Sequence, residues 1–192
     1  KFTNDNPVSQ TLWADYGKDF YASTSFNDIP ASDGRRIWIG WFSNWQYAKG
    51  EPTSPFRCIQ SIPRVLKFKE TADGIRLVQE PITELKKLRE EQIHIAKSNI
   101  AGANSKLRGF RSDSYEVLAK FDGNITFKTR KGPTEETAIG YDGELYVDRR
   151  KSGITNFSKD FPGIHRAPLK GERILHIFVD RSSVEVFGGD GE

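Results

Sequence analysis

The chain has 192 residues, of which 36% are hydrophobic and 29% charged, a balance typical of a globular protein with a sizeable core. The formal net charge is +3, and charges of both signs are interspersed, so no nucleic-acid partner is predicted. The sequence has no apolar run of about 18 residues, so no membrane-spanning helix is predicted either.

The first part of the chain, residues 1–80, predicts β-strands separated by turns. Aromatic and β-tolerant residues mark one strand within "DFYASTSF". A second strand is predicted at "RRIWIGWF", with Ile37, Ile39 and Trp41 on one face. Two further runs, "IPRVLKFKE" and "IRLVQEP", predict a hairpin around "TADG", because Asp-Gly suits a tight turn.

The pattern changes at "PITELKKLREEQIHIAK". Leu85 and Leu88 are three residues apart, and Thr83 and Glu84 suit the first turn of a helix. The segment 81–92 is therefore predicted to be a linker with a short helix, which separates two domains.

Residues 93–192 return to short alternating runs with Gly, Asp and Ser between them. In the run "ILHIFVD", Leu175, Ile177 and Val179 are expected to face one side of a sheet. Such runs at close spacing predict an antiparallel β-sandwich. The predicted strands lie in "SYEVLAKF", "ITFKTR", "TAIGY", "ELYVDRR", "ILHIFVD" and "SVEVFGG".

No cofactor or metal motif is recognisable in the sequence. His94, His165 and His176 are far apart and lack ligand spacing with Cys or carboxylates, so structural roles are predicted for them. Cys58 is expected to be a small buried side chain and not a nucleophile. The carboxylates are plentiful, but spacing alone pairs no two of them for acid–base chemistry. No cofactor, no metal ligand and no catalytic residue is therefore assigned.

The segment "RRIWIGWFSNWQY" concentrates aromatic rings. Tryptophan faces stack against the C–H face of a sugar ring, and neighbouring Asn and Gln side chains can bind its hydroxyls. Strand positions favour core packing for Trp38 and Trp41. Trp45 follows Ser-Asn and leads into a polar loop, so composition leaves core packing and ligand contact equally open for it, and both are also open for Trp13.

Six long blocks follow one another in the order of a known family: "LWADYGKDFYASTSFND", "RRIWIGWFSNWQYA", "SIPRVL", "LVQEPITELKKLR", "ETAIGYDGELYVDRRKSG" and "LHIFVDRSSVEVFGGDG". They resemble glycoside hydrolase family 32, the levanases, inulinases and invertases that hydrolyse β-fructofuranosides. The resemblance implies an all-β fold, in which the terminal part of a five-bladed β-propeller is followed by an antiparallel β-sandwich. Residues 1–80 would supply about one blade, 81–92 the linker, and 93–192 a sandwich truncated at its C-terminus.

Three acidic motifs of the family do not occur in this sequence. They are Trp-x-Asn-Asp-Pro-Asn with the nucleophile, Arg-Asp-Pro with a second Asp, and Glu-Cys with the acid/base Glu; "TNDNP" at residues 3–7 has a different order. The resemblance therefore implies a fragment of a retaining hydrolase of levan, inulin or sucrose that lacks the catalytic carboxylates and is inactive alone. A carbohydrate-binding or purely structural sandwich module is the alternative.

The resemblance carries three substrate-binding positions onto this chain. Trp45 matches a tryptophan that lines the fructose pocket, and Asp15 and Lys18 match a carboxylate–ammonium pair at the rim of the active-site funnel. The implied partners are a fructan or sucrose substrate and the missing propeller blades, and the implied location is secreted or periplasmic. Without neighbouring blades, apolar surface and strand edges lie open, so self-association is expected unless packing against the sandwich compensates.

Overall fold

A computed structural model describes residue 3 and residues 6–191 of the chain. Residues 1, 2, 4 and 5 of the segment "KFTNDNP", and with them part of the "TNDNP" sequence, lie outside the described residues. The described part is dominated by strands, which confirms the predicted all-β class. Its strands are β1 (Tyr21–Ser25), β2 (Arg36–Trp41), β3 (Arg64–Thr71), β4 (Gly74–Pro81), β5 (Tyr115–Lys120), β6 (Ile125–Thr129), β7 (Glu136–Tyr141), β8 (Leu145–Lys151), β9 (Ile164–Ala167), β10 (Ile174–Val179) and β11 (Val184–Gly188).

The first sheet joins four strands in their chain order, β1–β2–β3–β4. The β3–β4 pair is antiparallel and runs from Arg64 opposite Pro81 to Thr71 opposite Gly74, which confirms the hairpin predicted around "TADG". Gly74 has a φ of +97°, a conformation that glycine adopts without the strain of a side chain. A four-stranded sheet whose strands neighbour one another in sequential order is typical of a propeller blade.

Two further sheets contain the later strands, in the orders β11–β10–β5 and β6–β7–β8–β9. The strand β10 pairs antiparallel with both of its neighbours, β5 and β11. Leu175, Ile177 and Val179 are buried on one face of β10, as their alternation predicts. The six predicted strands of this region are all present, and the sequence pattern missed the short strand β9.

Helices are short in the described part of the chain. The segment Thr83–Leu88, in the predicted linker, is a 3₁₀ helix. An α-helix, α1, spans Ile100–Leu107, in a stretch before the first predicted strand of this region for which the sequence pattern indicated no helix. The side chain of Asn99 accepts a hydrogen bond from the Gly102 backbone N–H and caps the first turn of α1. A third helical turn, also 3₁₀, is Ala48–Gly50.

The chain divides into two compact units. The first contains most of the β6–β9 sheet, and its core includes Tyr47 and Ile139; it comprises Lys1–Ser23, Gly40–Gln60 and Thr126–Pro168. The second contains β3, β4 and the β11–β10–β5 sheet, and its core includes Val78 and Leu175; it comprises Thr24–Ile39, Ser61–Ile125 and Leu169–Glu192. Both units draw on residues from each side of segment 81–92, so the predicted division into 1–80, 81–92 and 93–192 stays a prediction.

Candidate functional site

Trp45 lies in the loop that follows β2 and is 67% exposed. The Asn44 side chain shapes this loop by accepting a hydrogen bond from the Gln46 backbone N–H at 2.9 Å, and the Asn44 carbonyl accepts from Tyr47 N and Ala48 N. The hydrogen bonds that hold this turn are made by backbone groups and by the Asn44 amide. The Trp45 indole takes part in none of them and lies on the surface.

Three aromatic rings meet at this loop in the first compact unit. The ring centroids of Trp41 and Trp45 are 4.9 Å apart, and Tyr21 stands edge-on to both, at 6.1 Å from Trp41 and 6.5 Å from Trp45. We call Tyr21, Trp41 and Trp45 the aromatic face. Tyr21 and Trp45 are exposed, so the face presents aromatic, largely apolar surface to solvent.

The two strand tryptophans are half-buried, so the expectation of core packing holds for them only in part. The Trp38 indole N–H donates to Gln79 Oε1 at 3.2 Å in the second compact unit. The buried Trp41 Nε1 has no hydrogen-bond partner among the residues that the structure describes. Trp13, which composition left open, is exposed.

Lys18 approaches the loop that carries Trp45. Its ammonium donates to Gln46 Oε1 at 3.3 Å and to the Asp160 carbonyl at 2.8 Å, and the Asn44 side chain donates to the Lys18 carbonyl at 3.0 Å. These bonds place Lys18 next to the residue that follows Trp45.

Asp15 is half-buried in a turn on the same stretch of chain as Lys18. Its Oδ1 accepts a hydrogen bond from the Gly17 backbone N–H at 2.7 Å. Pairing of Asp15 with Lys18 at the rim of a funnel stays a prediction, as do the substrate roles of both residues and of Trp45.

A largely buried ionic cluster includes Asp19, the residue that follows Lys18. Arg149, on β8, forms an ion pair with Asp19 at 2.5 Å, and its Nη2 donates to the Tyr47 hydroxyl at 3.0 Å. The Tyr47 hydroxyl in turn donates to Asp19. Burial, followed by the negative charge of Asp19, raises the pKa of Tyr47 well above its usual range, so the phenol stays protonated.

Two further titratable groups have pKa values shifted by the same environment. Burial raises the pKa of Glu51, which accepts a hydrogen bond from the Ser43 hydroxyl. Burial, together with the positive charge of Arg149, lowers the pKa of His165, on β9. The charges of Asp15 and Lys18 also act on His165, so these groups share one electrostatic environment.

Sequence reasoning missed the buried part of this site: Asp19, Tyr47, Glu51, Arg149 and His165. Asp19 directly follows Lys18, and Tyr47 lies two residues after Trp45, so proximity in the chain to the predicted substrate-binding positions was the only available signal. Arg149 carried no signal of this kind because it lies more than a hundred residues further along the chain.

The expectation that Cys58 is buried was wrong. Cys58 is exposed, because it lies in a loop between β2 and β3 and outside the strands that build the core.

Among residue 3 and residues 6–191, no group of three or more His, Cys, Asp or Glu side chains could hold a metal ion. No helix in the same residues is long and apolar enough to cross a membrane.

Comparison with known proteins identifies the family. The model "Glycosyl hydrolases family 32 N-terminal domain" matches residues 1–81, and "Glycosyl hydrolases family 32 C terminal" matches residues 84–192. The chain belongs to glycosyl hydrolase family 32. The resemblance seen in the sequence is thereby confirmed.

Named relatives of this family 32 chain are fructan hydrolases. A levanase of Bacillus subtilis is 46% identical over 205 residues, which cover 100% of this chain and 30% of that protein. An extracellular exo-inulinase of Aspergillus niger is 36% identical over 199 residues, covering 96% of this chain and 37% of that protein. The family 32 chain thus spans about a third of the length of these relatives.

Solved structures of the family have the same fold. The crystal structure of exo-inulinase from Aspergillus awamori superposes with a TM-score of 0.78 at 30% identity, over 94% of this chain and 37% of that chain. A β-fructofuranosidase from Schwanniomyces occidentalis has a TM-score of 0.62 at 23% identity, which supports the fold alone, over 100% of this chain and 43% of that chain. These likenesses agree with the predicted propeller and sandwich strands of an all-β family 32 protein.

Proposed function

We propose that this chain forms part of a retaining hydrolase of β-fructofuranosides, with levan, inulin or sucrose as substrate. In this proposal the chain supplies one wall of the fructose-binding pocket, made by the aromatic face together with Lys18 and Asp15. The observation that carries the proposal is the exposed Trp45 indole, held beside a polar Lys18–Gln46 pair.

The chemistry of this surface fits a sugar. The face of an indole attracts the C–H groups of a fructose ring, while an ammonium and a carboxylate at its edge can bind the hydroxyls. A surface with this composition binds a neutral, polyhydroxylated ring better than a purely apolar or a highly charged molecule. Family membership and the fructan-hydrolysing relatives support the same substrate class.

We propose further that the 192-residue chain does not cleave fructans by itself. Retaining hydrolysis needs an acid and a nucleophile whose carboxyl groups are about 5–5.5 Å apart. The family motifs that carry these groups do not occur in the sequence, and Asp19, in the site described above, is engaged by Arg149 and Tyr47. Incubation of the purified chain with sucrose, levan and inulin tests this, and fructose release above a blank would contradict it.

The sugar-binding role predicts a large effect of Trp45→Ala on affinity and a small one on folding. Loss of one stacking ring is expected to weaken binding of levan oligosaccharides by about tenfold in calorimetric titration. The free energy of unfolding is expected to change by less than about 0.5 kcal/mol, because the indole is mostly exposed.

Trp13→Ala is the matched control, since Trp13 is 63% exposed and lies outside the aromatic face. It is expected to leave the affinity unchanged. Equal losses of affinity in both variants, or no binding by the unmodified chain, would argue against the proposed role of Trp45.

A further inference from the structure

One side chain from a distant strand holds both segments of the candidate site. Arg149 lies in the region matched by the C-terminal domain of the family, whereas Asp19 and Tyr47 lie in the region matched by the N-terminal domain. Asp19 follows Lys18 directly, and Tyr47 lies two residues after Trp45. All of these residues belong to the first compact unit.

The three side chains form a closed hydrogen-bonded ring. Arg149 uses separate nitrogens for its two partners: Nη1 contacts Asp19 Oδ2 at 2.5 Å, and Nη2 donates to the Tyr47 hydroxyl at 3.0 Å. The Tyr47 hydroxyl closes the ring by donating to Asp19 Oδ1. A planar guanidinium holds its donors in fixed relative directions, whereas the three donors of an ammonium rotate on a flexible side chain.

Aromatic rings pack against the guanidinium. The Arg149 guanidinium carbon lies 4.1 Å from the centroid of the Phe161 ring and 5.4 Å from that of Tyr47. Phe157 packs against both Tyr47 and Phe161. Because Arg149 is buried, its bonds are strong and directional. Displacement of Asp19 leaves the charge of Arg149 without compensation, and displacement of Tyr47 leaves one of its buried donors without an acceptor.

The geometry points to Arg149 as a positioning residue for the sugar-facing surface. Through Asp19 it fixes the backbone at Lys18, and through Tyr47 it fixes the loop that presents Trp45 to the aromatic face. The C-terminal domain thereby takes part in shaping the substrate pocket. The link from Arg149 to substrate binding rests on the proposed function, whereas the effect of Arg149 on the position of Trp45 does not.

The position of Trp45 can be measured without any sugar. Two indoles whose centroids are 4.9 Å apart couple electronically and give an exciton couplet in the circular dichroism spectrum. Arg149→Lys keeps the positive charge but removes the planar guanidinium. In this variant the amplitude of the couplet is expected to fall by about half or more at temperatures well below unfolding. Arg150→Lys is the matched control: Arg150 is the exposed neighbour, pairs with Asp148, and is expected to leave the couplet intact.

A second variant keeps the test decisive if Arg149→Lys does not fold. Tyr47→Phe removes only the hydroxyl, retains the ring and leaves the Arg149–Asp19 ion pair in place, and it is expected to weaken the couplet relative to the unmodified chain. A full couplet in Tyr47→Phe would overturn the proposal. A full couplet in a folded but less stable Arg149→Lys would do the same, since it would assign Arg149 a role in stability alone.

Titration of the same variants with levan oligosaccharides adds the functional readout. Arg149→Lys is expected to bind about tenfold more weakly than the unmodified chain, whereas Arg150→Lys binds equally well. If the unmodified chain binds no sugar, the proposed function fails, while the couplet still decides whether Arg149 positions Trp45. Unchanged affinity in an Arg149→Lys variant with a reduced couplet would overturn the link between position and substrate.

Discussion

At the scale of single residues, Glu51 is a carboxyl whose charge is opposed by its surroundings. Burial raises its pKa above the ordinary value of 4.5, the nearby charge of Asp19 raises it further, and only the Ser43 hydroxyl and two arginines act in the other direction. Because the folded state binds this proton more tightly than the unfolded state, Glu51 favours folding below pH 4.5. That contribution is lost as the pH rises through the raised pKa.

Replacement of Glu51 by Gln is therefore expected to stabilise the chain at neutral pH. The amide can still accept the Ser43 hydrogen bond, but it carries no charge to be buried. Thermal unfolding at pH 7 and at pH 4 measures the effect. The midpoint temperature of Glu51→Gln should exceed that of the unmodified chain at pH 7, and the two midpoints should converge at pH 4.

Glu116→Gln provides a control of opposite sign. The ion pair with Arg89, followed by the hydrogen bond from His176, lowers the pKa of Glu116. Its stabilising contribution is present above pH 4.5 and lost as the pH falls through the lowered pKa, so this variant should be less stable at pH 7. If both variants shift stability in the same direction at pH 7, the assignment of Glu51 as a disfavoured charge is wrong.

The sequence indicated the surface of the site but not its support. Trp45, Asp15 and Lys18 were predicted from long blocks that resemble the family, in which short local motifs mark positions expected to contact a substrate. Arg149 acts through contacts across 130 residues to Asp19 and 102 residues to Tyr47, and no local pattern reports such a contact. Arg149 and Arg150 are adjacent in "DRRKSG", and only the fold reveals that Arg149 is buried while Arg150 is exposed.

At the scale of elements, the side chains of the paired strands β10 and β5 alternate between a buried face and an outer face. Leu175 and Ile177 are completely buried, while Leu118, on the paired strand β5, is 66% exposed. Leu118 lies opposite His176 on the outer face, whereas Leu175 lies opposite Ala119 on the buried face. Two leucines on neighbouring strands therefore have opposite environments.

Truncation of these leucines is expected to have very different costs. Leu175→Ala should lower the free energy of unfolding by about 2–5 kcal/mol, through lost burial and the cavity left behind. Leu118→Ala should change it by less than about 0.5 kcal/mol. Urea unfolding of both variants measures the difference, and comparable losses would contradict the assigned faces of β10 and β5.

Elements were predictable where period-two alternation was long enough to see. The hairpin of β3 and β4 and the strand β10 have six to eight residues each, and their patterns were read correctly. The four residues of β9 are too few for the pattern to stand out. The helix α1 contains Gly102 and no buried residue, so it lacks an apolar stripe, and the Asn99 cap was the only local signal for it.

At the scale of the whole molecule, one face of the β3–β4 hairpin exposes large apolar side chains. Phe68 is 80% exposed and lies opposite Leu77, which is also exposed, and Ile75 lies on the same face. The other face of the hairpin carries Val65 and Val78, which are buried. An exposed apolar face on a sheet is prone to pair with another protein surface.

The self-association expected from the sequence stays a prediction, and the structure suggests where it would occur. The unmodified chain is expected to form dimers or larger species at high concentration in light scattering, through the face that contains Phe68. Phe68→Lys should shift the equilibrium to monomer by placing a charge in that face, with little effect on stability because the ring is mostly exposed. Phe56→Lys adds the same charge at a loop residue that is 63% exposed, and it should leave the association unchanged. Both phenylalanines are mostly exposed and are replaced by the same cation, so only a contact at the Phe68 face can make their effects on association differ. A chain that remains monomeric at the highest concentration reached, or an equal effect of both substitutions, would therefore show that this face does not drive association.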